Sequence, residues 1–371
     1  MKKTVAILVN TSWNIFNFRV GLLKALQKEG YKIVAIAPRD EYSEKLENIG
    51  FEYYDININN KGTNPFEDTK LIYNFYKLYK KIKPDILLHY TIKPNIYGSL
   101  AAGVLGIPVI SNISGLGTVF LNNNFSSKIA HLLYKIALKI PKKVFYQNSH
   151  DRELFISSHL VNKTKTDLLP GSGIDTDKFK PSVEQENKTG SLNFLFIARL
   201  LKDKGLVEYV EAAKIFNGDD KVEFCILGAF YEANPTAIRE DEMNSWIESK
   251  IVNYLGTTDD IMSAIKKADC IVLPSYREGL SRVLLEAASM AKPIITTNVP
   301  GCKEVVDDGV NGYLCKVKDV DSLAKQIKKM ILLSDKERKE MGQRGRDKVI
   351  NSFDEKIVID KYIETIKYLI G

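Results

Sequence analysis

The chain has 371 residues, which is too long for one ordinary domain and suits two. Hydrophobic residues make up 44% and charged residues 27%, a balance that excludes a disordered chain. Lys plus Arg total 53 against 46 for Asp plus Glu, so the net charge of +7 excludes an acidic protein and leaves nucleic acid, an anionic membrane or a phosphorylated substrate as partners.

The first residues do not resemble a targeting segment. Lys2 and Lys3 precede an apolar run at 5–9, which is far shorter than a signal-peptide core and ends in polar residues. No stretch approaches the roughly 20 apolar residues that a bilayer-spanning helix needs. The four cysteines have no metal-binding spacing, and Cys225 and Cys270 lie within apolar runs typical of buried, reduced thiols. We therefore expect a cytoplasmic protein.

The first half of the sequence alternates short apolar runs with amphipathic segments. The apolar runs predict strands at 5–10, 32–37, 86–89, 109–112 and 144–147. Segments of helical period lie at 20–29, 69–81 and 128–140. Continuous aliphatic strands separated by helices are typical of a parallel sheet covered on both faces, so we predict the α/β class.

Two of these helical segments, 69–83 and 128–143, are rich in lysine and contain no acidic residue. Lysines on an amphipathic helix with interleaved aromatic residues suit an anionic membrane surface. An apolar stripe packed on the sheet, with the lysines facing water, explains either helix alone, whereas two such helices in one domain favour membrane contact. The lysines that we predict to face the membrane are Lys77, Lys80, Lys128, Lys135 and Lys139.

Composition indicates where the chain divides. The stretch 179–190 is polar, contains Pro and Gly and has no periodicity. Beyond it the strand–loop–helix pattern starts again, with strands predicted at 194–198, 224–227, 270–273 and 294–297 and helices at 206–216 and 282–291. We predict two doubly wound domains at 1–178 and 191–353, a linker at 179–190, and a C-terminal helix in 354–371 that can pack back on the first domain. In such sheets ligands bind beyond the carboxyl ends of the strands.

An Asp-Thr-Asp sequence at 175–177 has a spacing with which aspartates can hold a divalent ion beside a diphosphate. It lies in a connector bounded by Gly and Pro rather than in a loop that closes a buried strand. We therefore expect no metal site there.

Two cations follow the first strand of the second domain. Arg199 ends the run FIAR, and Lys204 comes five residues later, before Gly205 and a helix. A planar guanidinium fork and a compact ammonium group at one strand end suit a diphosphate. An ordinary basic loop explains either cation alone.

The stretch PSYREGLSRVLLEA at 274–287 follows another buried strand. Glu278 and Gly279 lie in its loop, a helix opens at about Ser281, and Glu286 lies on that helix. Gly279 permits a positive φ and a close approach of the backbone to a ligand, and Ser281 can cap a helix whose free amide groups suit a phosphate. Two solvated glutamates beside a capped helix are the alternative. Because the two-cation loop lies at a neighbouring strand end, the combination favours an anion site.

Several motifs of the second half occur together in one known family. They are ARLLKDKG, VNYLGTTDDI, the spacing of Glu278 and Glu286, PSYREGLSRVLLEAASMAKPIITTNVPG and DDGVNGYLC, and they cover most of 192–316. In these motifs the chain resembles the retaining, nucleotide-sugar-dependent glycosyltransferases of family 4. The resemblance implies the GT-B fold, in which two doubly wound, Rossmann-like domains face each other across a cleft. It also implies a UDP-sugar as substrate, with no cofactor and no metal.

The resemblance assigns roles to the residues of these motifs. Arg199 and Lys204 hold the donor diphosphate and Glu278 faces the donor sugar, and these three are the catalytic candidates. The other donor-binding candidates, which meet ribose, phosphate or base, are Glu286, Gly279, Leu280, Ser281, Gly256 and Thr257. The implied mechanism is a same-face displacement at the anomeric carbon, in which positive charge stabilises the leaving diphosphate. Paired carboxylates also serve glycosidases, but a hydrolase needs no diphosphate site.

The first half departs from the common family pattern after its first strand, where NTSWNIFNFR replaces a pair of glycines. It resembles instead the bacterial enzymes that extend undecaprenyl-diphosphate-linked sugars for capsules, O-antigens or N-glycans, and HYTIKPNIYGSLAA and VISNISGLGTVF strengthen this match. The acceptor-side candidates implied are Ser12, Trp13, Asn14, Lys93, Ser114, Gly115, Gly117 and Thr118. We interpret His89 as a strand-end residue packed under the cleft, leave a direct role open, and assign no general base.

We expect a retaining hexosyltransferase that moves a sugar, such as an N-acetylhexosamine or a related amino sugar, from a UDP-sugar to a polyprenyl-diphosphate-linked saccharide. It would be peripherally associated with the inner face of the cell membrane. A UDP-N-acetylhexosamine 2-epimerase of the same fold and a non-catalytic UDP-sugar-binding membrane scaffold are the alternatives. Nucleic acid is not an expected partner, because no helix–turn–helix, zinc-finger or RNA-binding signature accompanies the charge.

Overall fold

A computed structural model describes residues 2–59, 64–115, 125–181, 190–232 and 234–371, with the backbone alone at 125–127. Contacts divide the chain into one unit of Met1–Gly173 with Glu355–Gly371 and a second unit of Ile174–Asp354. The segment 174–178, which we assigned to the first domain, therefore lies in the second unit. Most of the predicted linker, at 182–189, lies outside the described residues.

The first unit alternates strands and helices along the chain. Its strands are β1 (Thr4–Leu8), β2 (Lys32–Ala37), β3 (Glu52–Asp55), β4 (Ile86–Tyr90), β5 (Val109–Ile113), β6 (Lys143–Tyr146) and β7 (Thr166–Leu168). Its helices before residue 174 are α1 (Ser12–Lys28), α2 (Ser43–Asn48), α3 (Pro65–Ile82), α4 (Ser99–Leu105), α5 (Phe125–Ala137) and α6 (Ser149–Ser157). A π-helical turn, Pro94–Gly98, leads into α4, and a 3₁₀ turn, Lys163–Lys165, leads into β7.

These strands pair in parallel in the order β3-β2-β1-β4-β5-β6-β7. Val5 of β1 lies opposite both Ile33 of β2 and Ile86 of β4. The direction of strand addition reverses between β1 and β4, so the loops after these two strands meet at a switch point. Apolar side chains fill a core on each face, with α3, α4 and α5 covering one face and α1 the other.

The second unit has the same construction. Its strands are β8 (Leu192–Ile197), β9 (Val222–Leu227), β10 (Asn253–Tyr254), β11 (Cys270–Leu273), β12 (Ile294–Thr297) and β13 (Gly312–Cys315). Its helices are α7 (Leu206–Ile215), α8 (Glu240–Glu248), α9 (Ile261–Lys267), α10 (Arg282–Ser289), α11 (Val320–Leu332) and α12 (Asp335–Phe353). The parallel order is β10-β9-β8-β11-β12-β13, which puts the switch point between β8 and β11. All four cysteines are buried and form no disulfide.

The last helix, α13 (Glu355–Ile370), follows the second unit in sequence but belongs to the first. Val358, Tyr362 and Ile366 form its buried stripe, which joins the core under α1. The Tyr90 hydroxyl donates to the Tyr362 hydroxyl at 2.7 Å. A polar contact within an apolar stripe fixes both the depth and the rotation of α13 on the first unit.

Both sheets are parallel and covered by helices, which confirms the predicted α/β class of two doubly wound units. None of the described helices is long and apolar enough to cross a membrane.

Candidate active site

The loops that follow β8 and β11 meet at the switch point of the second unit. The Tyr276 N–H donates to the Asp203 carbonyl at 2.9 Å. Gly205, with a φ of +74°, packs so closely on Pro274 that a Cβ there would lie 2.1 Å from the Pro274 carbonyl oxygen. Since no side chain fits at that distance, glycine lets the two backbones touch. Two motifs that are distant in sequence thus form one surface at the carboxyl edge of the sheet.

Lys204 and Glu278 form an ion pair on this surface. Lys204 Nζ lies 2.6 Å from Glu278 Oε1, and both side chains are mostly buried. The Glu278 N–H donates to the Pro300 carbonyl at 3.1 Å, which ties the glutamate to the loop after β12. A buried pair of this kind leaves little freedom to either side chain, so the ammonium group has a defined position.

The positive φ that we expected at Gly279 occurs at Gly301, in the neighbouring loop, instead. Gly279 is not among the described glycines of positive φ, whereas Gly301 has a φ of +83°. A Cβ at Gly301 would lie 2.3 Å from the Glu278 carbonyl oxygen. The Gly301 carbonyl also accepts the Ser281 N–H at 2.8 Å, so Gly301 contacts both ends of the loop 278–281. The Pro-Gly pair at 300–301 was the sequence signal for this turn.

Helix α10 points its amino terminus at the Glu278 loop. Ser281 occupies the predicted N-cap position, but its hydroxyl makes no capping hydrogen bond with the residues that the structure describes. Ser281 is buried, and Leu280 packs partly on the core. The first-turn amide groups are therefore left without a cap from Ser281, and the positive end of the helix dipole suits a phosphate group.

Glu286 lies one turn further along α10 and is almost fully buried. Its Oε1 accepts a hydrogen bond from Arg282 Nε at 2.9 Å. Burial raises the pKa of the Glu286 carboxyl, and the charge of Arg282 opposes that effect. A carboxyl group oriented in this way can accept hydrogen bonds from a neutral diol such as a ribose.

Arg199 follows β8 and lies over an aromatic ring that the sequence analysis did not identify. Its Cζ is 5.0 Å from the centroid of the Tyr231 ring. Tyr231 belongs to the loop after β9, whose backbone pairs with the Arg199 loop: the Leu200 N–H donates to the Ala229 carbonyl at 3.0 Å. The aromatic pair in GAFYEANP, directly after a buried strand, was the sequence signal that could have located it.

Gly256 and Thr257, the candidates near the base, follow the short strand β10. Gly256 has a φ of +71°, and its carbonyl accepts the Gly228 N–H at 2.9 Å. Thr257 is exposed. Since Gly228 begins the loop that carries Tyr231, this turn lies at the same edge of the sheet as Arg199.

In the first unit, the first turn of α1, shortly after β1, carries three acceptor-side candidates of different exposure. Ser12 is fully buried, and its hydroxyl donates to Asp40. Trp13 is about half exposed and packs edge-on against Phe18, with ring centroids 5.0 Å apart. The Asn14 side-chain oxygen is buried and has no hydrogen-bond partner among the described residues. Of the three, Trp13 has the most exposed side chain.

Lys93 lies after β4, in a segment with unusual backbone geometry. Thr91 has a φ of +65°, and the π-helical turn begins directly after Lys93. Lys93 Nζ lies 2.9 Å from Asp68 Oδ1, and the Tyr97 hydroxyl donates to Asp68 Oδ2 at 2.7 Å. Positive φ in a threonine and π-helical turns both concentrate at functional sites. Sequence reasoning missed Asp68, which lies one residue before the acid-free stretch.

The remaining acceptor-side candidates follow β5. The Ser114 hydroxyl donates to the Asn112 side chain at 3.2 Å, and Gly115 has a φ of +142°. Gly117 and Thr118 lie outside the described residues.

His89 lies inside the first unit rather than at its surface. Its Nε2 is 3.0 Å from the Tyr79 hydroxyl and its Nδ1 is 3.1 Å from the Ser99 hydroxyl. Burial lowers the pKa of His89 to about 3, so the ring is neutral at ordinary pH. These contacts agree with a packed strand-end residue.

The Asp-Thr-Asp sequence forms a turn in the second unit. Asp175 Oδ1 accepts the N–H groups of Asp177 and Lys178, at 3.1 and 2.9 Å. This carboxylate stabilises the connector in the way that aspartates stabilise Asx turns.

The lysine-rich helices α3 and α5 cover the same face of the first sheet. α3 packs on α4, and α5 packs on the π-helical turn before α4. The five lysines predicted to face a membrane, Lys77, Lys80, Lys128, Lys135 and Lys139, are all exposed. The same face exposes large apolar side chains: Tyr73 at 54%, Val104 at 76%, Leu132 at 59% and Ile136 at 47%. The apolar stripe of α5 is thus only partly buried, through Ala130, Tyr134 and Ala137.

Comparisons with known proteins match both units to glycosyltransferase families. The family described as "Glycosyl transferase 4-like" matches residues 4–148, and the family described as "Glycosyl transferases group 1" matches residues 177–348. An N,N'-diacetylbacillosaminyl-diphospho-undecaprenol alpha-1,3-N-acetylgalactosaminyltransferase of Campylobacter jejuni is 28% identical over 97% of each chain. A UDP-Gal:alpha-D-GlcNAc-diphosphoundecaprenol alpha-1,3-galactosyltransferase of Escherichia coli is 29% identical over 82% of this chain and 79% of its own. The crystal structure of a glycosyltransferase from Rickettsia africae superposes with a TM-score of 0.82 at 20% identity, over 100% of this chain and 99% of its own.

Proposed function

The chain belongs to the glycosyltransferases that these two family descriptions cover, with the GT-B fold, and on that premise we propose that it is a retaining enzyme that uses a UDP-sugar. Its acceptor would be a polyprenyl-diphosphate-linked saccharide, and the sugar transferred would be an N-acetylhexosamine or a related amino sugar. The observation that carries the proposal is the Lys204–Glu278 ion pair at the switch point of the second unit, where Arg199 follows the same strand, β8, as Lys204.

The second unit would bind the donor. Transfer breaks the bond between the anomeric carbon and the diphosphate, so negative charge grows on the departing oxygen. Arg199, Lys204 and the amino terminus of α10 supply positive charge at one sheet edge, and groups held in place before the reaction stabilise such charge without reorganising. Glu278 fixes Lys204 and presents a second carboxyl oxygen to the donor sugar. Glu286, oriented by Arg282, would accept the ribose hydroxyls.

Retention follows when the acceptor hydroxyl attacks the face that the diphosphate leaves. The new bond from carbon to acceptor oxygen then forms as the bond to the diphosphate oxygen breaks. The proton of the acceptor hydroxyl passes to the departing oxygen, which lies on the same face. Because the departing oxygen takes the proton, the reaction needs no separate general base, which agrees with the complete burial of His89.

The first unit would bind the acceptor. The names of the Campylobacter and Escherichia relatives both specify sugars carried on diphosphoundecaprenol, which supports the same acceptor class here. Trp13 offers an exposed ring of the kind on which sugars pack. Lys93, held by Asp68, is the cation at the carboxyl end of β4 that could meet a polar acceptor group.

A lipid-linked acceptor brings the enzyme to a membrane, and we propose that the face formed by α3, α4 and α5 makes that contact at the inner surface. The exposed apolar side chains of this face would enter the interface, and its lysines would lie near anionic headgroups. Such a contact would place the protein at the cytoplasmic face of the membrane as a peripheral protein.

The proposal is tested by incubating the protein with a set of UDP-sugars and short polyprenyl-diphosphate saccharides and detecting extended products by mass spectrometry. A product with the donor's anomeric configuration, read by NMR coupling constants, supports retention. UDP release without any acceptor would indicate the 2-epimerase instead, and UDP-sugar binding without turnover would indicate a non-catalytic scaffold.

A further inference from the structure

The two cations of the donor site are held in different ways. Lys204 is paired with a carboxylate at 2.6 Å, so much of its charge is already compensated. Arg199 makes no ion pair with any residue that the structure describes, and its guanidinium lies over the Tyr231 ring at 5.0 Å. A ring contact uses none of the N–H donors of a guanidinium, so they remain available to a diphosphate.

We propose that Tyr231 is a positioning residue for Arg199 in sugar transfer, an inference that rests on the function proposed above. The aromatic face attracts the guanidinium and limits its rotamers while leaving its charge uncompensated. A carboxylate in the same place would hold Arg199 equally well but would cancel the charge that the leaving diphosphate needs.

The described backbone on both sides of Tyr231 is hydrogen-bonded to the Arg199 loop. The loop after β9 runs along the Arg199 loop: the Ile238 N–H donates to the Leu200 carbonyl at 2.9 Å, and the Lys202 N–H donates to the Thr236 carbonyl at 2.7 Å. A Cβ at Gly228 would lie 1.7 Å from the Ala198 carbonyl oxygen, so the two loops touch where they leave the sheet. The ring and the guanidinium are thus carried by one paired backbone.

The phenolic hydroxyl is not required for this role, because the ring face makes the contact. Tyr231→Phe keeps the ring, whereas Tyr231→Leu leaves a smaller apolar side chain without a π face. Tyr231 is 42% exposed, so neither change opens a core cavity. Positioning before the reaction lowers the barrier more than it changes ground-state binding, so the effect is expected mainly in kcat.

The test is a double-mutant cycle of Tyr231→Leu and Arg199→Met, with steady-state transfer and calorimetric UDP affinity as the readouts. Tyr231→Leu should lower kcat about fivefold, the amount expected from losing one cation–π contact. Tyr231→Phe should stay within about twofold of wild type, and Tyr231→Leu should have no further effect once Arg199 is Met. Tyr313→Leu removes a half-buried tyrosine of β13 whose ring centroid lies 5.1 Å from Lys329 Nζ, and it serves as the control for the loss of a cation–π contact elsewhere in the unit.

An undiminished kcat in Tyr231→Leu would overturn the inference, and so would losses that simply add in the double variant, because additivity means that Tyr231 acts without Arg199. Thermal unfolding of each variant separates a folding defect from a kinetic one. If the wild-type protein transfers sugar but the effects of the two substitutions are additive, this inference fails and the proposed function stands. If the wild-type protein neither binds UDP nor transfers sugar, the proposed function fails, and this inference fails with it.

Discussion

Lys204 and Glu278 are 74 positions apart in sequence, yet Lys204 Nζ lies 2.6 Å from Glu278 Oε1. Adjacent strands, β8 and β11, deliver the two residues to one sheet edge, and Gly205 and Gly301 allow the loops to close on each other. The pair holds Lys204 at the switch point while compensating part of its charge. The uncompensated positive charge of the donor site therefore rests on Arg199 and the amino terminus of α10.

Replacing Lys204 by Ala should lower kcat for sugar transfer by roughly 100- to 1,000-fold, the range seen when one preorganised group that stabilises the transition state is removed. Steady-state kinetics with a UDP-sugar and a lipid-linked acceptor measures the effect. Lys202→Ala removes an exposed lysine from the same turn and should leave kcat unchanged. Full turnover in Lys204→Ala would show that Lys204 does not assist the leaving group.

Replacing Gly301 by Ala should both destabilise the second unit and lower activity. The left-handed backbone costs an alanine about 1–2 kcal/mol, and here the new Cβ would also meet the Glu278 carbonyl oxygen. Gly309→Ala is the matched control, because Gly309 has a φ of +76° and a Cβ added there would meet nothing within 4 Å. Urea unfolding compares the two variants. Equal losses of unfolding free energy in both would show that the contact with Glu278 contributes nothing.

The central strands and the donor-side residues could be predicted because a parallel strand buried on both faces is a continuous apolar run. Such runs mark β8 and β11, and Arg199 and Glu278 follow them within a few residues. Sheet edges give no such signal. Strands β3, β7 and β10 were missed because they are short and partly polar, as in Glu52–Asp55 and Asn253–Tyr254, and β13 was missed because it is short and begins with a glycine.

The remaining features depend on contacts between segments that are distant in sequence. Asp68 becomes relevant only when the fold brings its carboxylate to Lys93, and Tyr231 only when its loop pairs with the one that carries Arg199. Gly301 was not identified for the same reason, since the neighbour that would clash with a Cβ there belongs to another loop. A sequence shows that a glycine is present but not which backbone lies against it.

The burial of His89 predicts a pH-dependent loss of stability in acid. Burial lowers its folded pKa to about 3, whereas an unfolded histidine titrates near pH 6.5, so the unfolded state binds more protons between these values. This contribution to stability is complete above about pH 6.5 and falls by about 1.4 kcal/mol per pH unit below it. Urea unfolding from pH 7 to pH 4 should show a shallower dependence in His89→Gln than in wild type. His150→Gln changes an exposed histidine and should leave the slope as it is.

Neutralising three lysines in α5 and just after it should release the protein from anionic vesicles. Lys128, Lys135 and Lys139 are exposed beside Leu132 and Ile136, and a lysine near an anionic surface contributes about 1 kcal/mol, so their joint change to Gln should weaken binding roughly 100-fold. Sedimentation with vesicles that contain phosphatidylglycerol measures the affinity. Lys143 is left unchanged because it pairs with Asp167 at 3.1 Å.

The control for that experiment is a triple change of equal charge in the second unit, with Lys325, Lys328 and Lys336 replaced by Gln on the exposed faces of α11 and α12. If net charge alone drives adsorption, the control variant loses as much affinity as the α5 variant, and the assignment of the membrane face fails. If the α3–α4–α5 face makes the contact, only the α5 variant is released. Replacing Leu132 and Ile136 by Ser should then weaken binding to neutral vesicles as well, because the apolar contribution does not depend on lipid charge.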